Sequence, residues 1–106
     1  SQDGGFRSNR NRWLAMKRDW LIKTNHTLEE VVPLVGGYEL EKLQGFVGGY
    51  IQIVPLKVSE ITGEQLCAVV NEEGLLRKMP QNDIATMIIG RPIVGDVLIC
   101  KSKHIK

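Results

Sequence analysis

Apolar residues change their spacing several times along this chain, and each change marks an element. Leu40, Leu43, Phe46 and Val47 recur three and four residues apart, while Glu39, Glu41, Lys42 and Gln44 fill the positions between. That spacing puts one apolar stripe on a helix. Glu39 and Glu41 fall in its first turn, where the helix dipole favours anions. Gly48-Gly49 supplies a left-handed stop, with positive φ expected for at least one of the pair. Tyr50 to Val54 follows with the aromatic and β-branched residues of a strand.

Other segments read in the same way. Trp20 to Lys23 and Leu28 to Leu34 flank the polar break Thr24-Asn25-His26-Thr27, which predicts a hairpin. Pro33 places the second of these strands at a sheet edge or a strand end. Lys57 to Glu64 is a loop, and Gln65 to Val70 is a nearly unbroken apolar run, as expected of a central strand covered on at least one face. Asn71-Glu72-Glu73-Gly74 is a turn in which the Asn71 side chain bonds to nearby backbone. Pro80 to Ile89 carries a second helical stripe of Ile84, Met87 and Ile88, with Asn82 or Asp83 at its start and Gly90 at its end. Val94 to Cys100 is the last strand, and Lys101 to Lys106 is a basic tail containing His104.

These elements predict an α+β fold: a sheet of about five strands, antiparallel or mixed, with two short helices packed on one face. Leu43, Phe46, Ile53, Val69 and Leu98 are expected to meet in its core. A chain of 106 residues is long enough to bury such a core as a single domain. The expected division is a basic N-terminal arm over 1–19, partly disordered or a short helix, and one globular domain over 20–106. Within the arm, Trp13, Met16 and Trp20 share a helical spacing, and Trp20 is expected to cover the sheet.

Charge adds one feature to this picture. Residues 1–23 hold six Lys/Arg against two Asp, whereas residues 24–106 hold eight basic and ten acidic side chains. The arm interleaves Phe6, Arg7, Arg10, Arg12, Trp13, Lys17 and Arg18. Such a pattern binds acidic partners or phosphates through its cations, and a protein groove or unpaired bases through its aromatic rings. These seven residues are the candidate binding site.

The remaining chemistry is sparse. Cys67 and Cys100 each lie in an apolar run without metal-ligand or redox-motif spacing, and read as small buried thiols; one bridge between adjacent strands stays open as an alternative. His26 and His104 have no ligand spacing between them, so no metal site and no cofactor is expected. Gly48-Gly49 follows a helix rather than opening one, which argues against a phosphate loop. Glu72-Glu73 reads as a solvated turn, and Asp96 as the polar start of a strand. No apolar run is long enough to span a bilayer and no secretory signal is visible. The expected location is intracellular (cytoplasmic or nuclear) or within a virion, and not secreted.

The blocks Leu40-Glu-x-Leu43-Gln-x-x-Val47-Gly48-Gly49-Tyr50-Ile51, Val69-Val70-Asn71-Glu72-Glu73-Gly74, Asn82-x-x-Ala85 and Gly90-x-Pro92-Ile93-Val94-Gly95-Asp96-Val97-Leu98 occur in that order. In this order they resemble a family of small domains of unknown function found in bacteriophages, bacteria, algal viruses and some eukaryotes. The resemblance runs from about Trp20 to Cys100 and leaves out the arm. It implies an association with viruses or mobile elements and assigns no catalytic residue. The expectation is therefore a non-enzymatic binding or assembly module whose arm engages a protein partner. The alternatives are a nucleic-acid-binding accessory protein using the same arm, and a small enzyme of unknown reaction.

Overall fold

The computed structural model describes residues 18–33, 35–58 and 63–106. Five strands are described: β1 Asp19–Ile22, β2 Leu28–Val31, β3 Ile51–Val58, β4 Gln65–Asn71 and β5 Val97–Lys101. They form one sheet in the order β2-β1-β5-β4-β3, with every neighbouring pair antiparallel. Two α-helices, α1 Leu40–Val47 and α2 Asp83–Ile89, and a short 3-10 turn, Ser102–His104, complete the described elements. The predicted α+β class and five-stranded sheet are those observed.

The two helices do not share a face. Leu43 and Val47 of α1 pack with Cys67, Val69, Leu98 and Cys100 on one side of the sheet. Ala85 of α2, flanked by Ile84, Ile88 and Ile89, packs with Ile22, Ala68, Val70, Val97 and Ile99 on the other. The reason lies in β4 and β5. Side chains alternate across a strand, so an unbroken apolar run exposes hydrophobic surface on both faces. Leu66 to Val70 and Val97 to Cys100 are all buried. Each face therefore needs its own cover, and a seven- or eight-residue helix reaches only one.

The same geometry corrects the expected core. Leu43, Val69 and Leu98 meet in one cluster, and Phe46 packs against its rim. Ile53 stands opposite Val69 on β3, yet 44% of its surface is exposed. β3 is an edge strand, and Ile53, unlike Ile51, does not pack against the α1-side cluster. Trp20 does cover the sheet as expected, against the α2 side.

Helix ends follow the chemistry read from the sequence. Gly48 closes α1 in the left-handed region (φ 81°), and its N–H donates to Gln44 O at 2.8 Å. Asn82 caps α2 and is fully buried. Its Oδ1 accepts from Ala85 N at 3.0 Å, and its Nδ2 donates to Ile22 O and Gly95 O, each at 2.9 Å. One amide thus fixes the start of α2, the end of β1 and the approach to β5. Asn82→Ala should cost roughly 2–4 kcal/mol in urea unfolding, because it removes a cap and strips two buried carbonyls of a donor. Asn82→Asp, which keeps the cap but faces those carbonyls with a carboxylate, should be at least as destabilising. A smaller loss for Asn82→Asp than for Asn82→Ala would mean the cap dominates.

Candidate functional site

Asp19 is the residue the sequence reading placed last in the arm. In the structure it opens β1 and is 0% exposed. A carboxylate in that position is costly unless hydrogen bonds compensate its lost hydration. Tyr38 Oη donates to Asp19 Oδ2 at 2.5 Å, and His104 Nδ1 meets the same oxygen at 2.9 Å. A carboxylate oxygen only accepts, so His104 carries a proton on Nδ1. Oδ1 of Asp19 has no hydrogen-bond partner among the described residues.

Three distant segments supply this cluster. Tyr38 precedes α1, and its ring stands edge-on to Phe46 (5.7 Å, 87°) and to His104 (6.4 Å, 83°). His104 arrives on the segment that follows β5. Tyr38 N donates to His104 O at 2.6 Å, and Lys106 N donates to Tyr38 O at 3.1 Å, which makes a parallel bridge between Tyr38 and Ile105. The approach is close enough to require glycine beside it: Gly37 has φ 92°, and a Cβ there would meet His104 O at 2.3 Å. The predicted basic tail is structured: Lys101 ends β5 and residues 102–106 continue from it. They fold back over the α1 side of the sheet, with Ile105 packed against its core. Burial, together with the hydrogen bond to Asp19 and its charge, pushes the Tyr38 hydroxyl far above its ordinary range.

Under this cluster lie Cys67 and Cys100. They are direct partners across β4 and β5, both are buried and free, and their sulfurs are 3.8 Å apart. Hydrogen bonding from Cys100 lowers the Cys67 thiol. The Cys100 thiol, as donor to Cys67 and by burial, is raised. Glu64 anchors the same end of the sheet from outside, bonded by Lys103 and by Lys101 Nζ at 2.9 Å. Those bonds, Lys103 first, pull its carboxyl down to about 2.

Of the predicted binding residues, Phe6, Arg7, Arg10, Arg12, Trp13 and Lys17 lie outside the described residues. Arg18 is exposed and pairs with Glu30 of β2. Other polar side chains are held by local contacts. Asp96 Oδ1 accepts Thr24 N at 3.1 Å. Asn71 Oδ1 accepts Glu73 N at 2.8 Å, and its Nδ2 donates to Val47 O at 3.0 Å. His26 pairs with Asp83 at 3.0 Å. A groove of about 290 Å³ runs between the end of α1 and Met79-Pro80, with Asp96 the single ionisable side chain in its lining. No group of three or more metal-ligating side chains converges among the described residues. No helix among them is long and apolar enough to cross a membrane.

Sequence reasoning missed the Asp19–Tyr38–His104 cluster. Its members are far apart in the chain and follow no local period. The one signal was Ile105, an apolar residue in an otherwise polar stretch, which needed a surface to cover it.

Comparison with known proteins agrees with this frame. The sequence profile of a domain of unknown function, DUF3846, matches residues 19–105. The chain belongs to that family, and the match starts at Asp19 and takes in both Tyr38 and His104. No curated protein and no solved structure matches the chain.

The cluster makes a stability prediction. Tyr38→Phe keeps the ring packing but leaves the buried Asp19 with one fewer donor. It should lower stability by about 1–3 kcal/mol, seen as a lower urea midpoint at unchanged slope. A loss below about 0.5 kcal/mol would show that the hydroxyl contributes little to holding the carboxylate.

Proposed function

We propose that this chain is a non-enzymatic binding or assembly module, associated with a virus or mobile element, that engages a protein partner through its basic aromatic arm. The observation that supports a protein partner is the surface where the arm joins the body. Asp19 is the register partner of Val31. Just past Val31, Val32 and Val35 stand 72% and 103% exposed. Arg18, the residue before β1, pairs with Glu30 of β2. Exposed valines on the body, in a chain whose arm carries cations and aromatic rings in sequence, suit a protein groove or face with acidic edges. Phosphate backbones would gain little from the two valines. The virus or mobile-element setting rests on the distribution of the resembling family.

The body acts in this reading as a rigid platform. Both faces of its central strands β4 and β5 are covered, and Asp19 and Asn82 tie separate segments to them. The test is capture of partners from a lysate of the native host by three proteins: the full chain, a chain lacking residues 1–12, and Val32→Ser/Val35→Ser. A protein partner should be retained by the full chain at moderate salt and weakened in both variants. Equal recovery by all three would move binding away from this end of the molecule. Recovery of nucleic acid that is lost steeply as salt rises would instead favour the nucleic-acid alternative.

A further inference from the structure

We propose that Cys67 and Cys100 form an oxidation site, a dithiol that a small-molecule disulfide converts to a cross-strand disulfide within the folded sheet. The two residues are direct register partners on adjacent antiparallel strands. Opposed residues in such a pair have Cα atoms about 4.5 or 5.5 Å apart, and both spacings fall inside the roughly 4.4–6.8 Å that a disulfide spans. The sulfurs already face each other at 3.8 Å. Closing to a bond of about 2.05 Å needs side-chain rotation and no movement of the strands. Both neighbouring strands are central in the sheet, so the pair is held in this register by pairing on either side. This site is independent of the arm and of the partner it engages.

The route to the sulfurs is set by the C-terminal segment. Cys67 and Cys100 are 1% and 0% exposed. His104 and Tyr38 are held over the same face by Asp19, and Ile105 packs against the cluster that contains both cysteines. Release of residues 102–106, which breaks the His104–Asp19 contact and no pairing between strands, opens the pair by local unfolding of a terminal segment. Written with Cys67 as the first to react, the exchange starts from its thiolate. The thiolate attacks one sulfur of the oxidant disulfide and expels one thiolate. Cys100 then gives up its proton and attacks the Cys67 sulfur of the mixed disulfide, expelling the second. The protein loses two protons and two electrons, and the oxidant is reduced to two thiols.

The experiment incubates the full chain with oxidised glutathione under folding conditions, quenches with iodoacetamide and records intact mass. The expected product has lost two hydrogens and carries neither alkyl nor glutathione adducts. Cys67→Ser and Cys100→Ser should never give it. His104→Ala, which frees the covering segment, should reach it several-fold faster. Three results would overturn the proposal: oxidation that appears only at urea concentrations that unfold the chain, a glutathione adduct that accumulates on the unaltered chain without ring closure, or the two-hydrogen loss in either single-cysteine variant. An unchanged rate in His104→Ala would overturn the route through the C-terminal segment.

Discussion

A carboxylate with no contact to solvent organises one whole side of this molecule. Asp19 begins the first strand, and its Oδ2 accepts from Tyr38 and from His104. Hydrogen bonds to a charged group are stronger than neutral ones, and leaving a buried charge without them costs several kcal/mol. The two donors are therefore constrained to stay where the carboxylate is. Tyr38 carries the entry to α1 with it, and His104 carries the segment after β5. Three parts of the chain with no sequence proximity become one layer over Cys67, Val69, Leu98 and Cys100.

The opposite face is organised by an amide instead of a charge. Asn82 satisfies two buried carbonyls and caps α2 at the same time. The contrast has a physical basis. The start of α2 leaves N–H groups that need an acceptor, which the Asn82 side-chain oxygen supplies, while its Nδ2 serves the carbonyls of Ile22 and Gly95. The α1 side needs closure across its end, which a carboxylate shared by two donors achieves. Between these two polar anchors the interior is apolar, with β4 and β5 buried on both sides.

Much of the fold could be read from spacing because its elements obey local rules. The glycine stops at Gly48 and Gly90 and the Asn82 cap each rest on neighbours within four residues and are found as expected, whereas the predicted stripes are only partly buried: Leu43 and Val47 face the core but Leu40 does not, and Met87 of α2 points to solvent. The layering was harder. Runs such as Leu66-Cys67-Ala68-Val69-Val70 announce burial, but only their alternation shows that two faces need covering, and so that the helices must divide between them. Ile53 was misplaced for a related reason: composition marks it as apolar, while its exposure depends on being in an edge strand. The Asp19 cluster was illegible because Asp19 and His104 were each explained locally, as the end of an arm and part of a basic tail, and Tyr38 fell between two predicted elements. Only the sheet order brings them together.

The account stands on Asp19 holding the C-terminal segment to the body. Native-state amide hydrogen exchange of the full chain, compared with Asp19→Ala, measures that directly. The N–H groups of Tyr38 and Lys106 are the ones that tie the two segments together. Their protection should fall by much more than that of Val69 in the central strand, because the covering segment is released while the sheet remains. Unchanged protection at Tyr38 and Lys106, or a loss no greater than that at Val69, would contradict it.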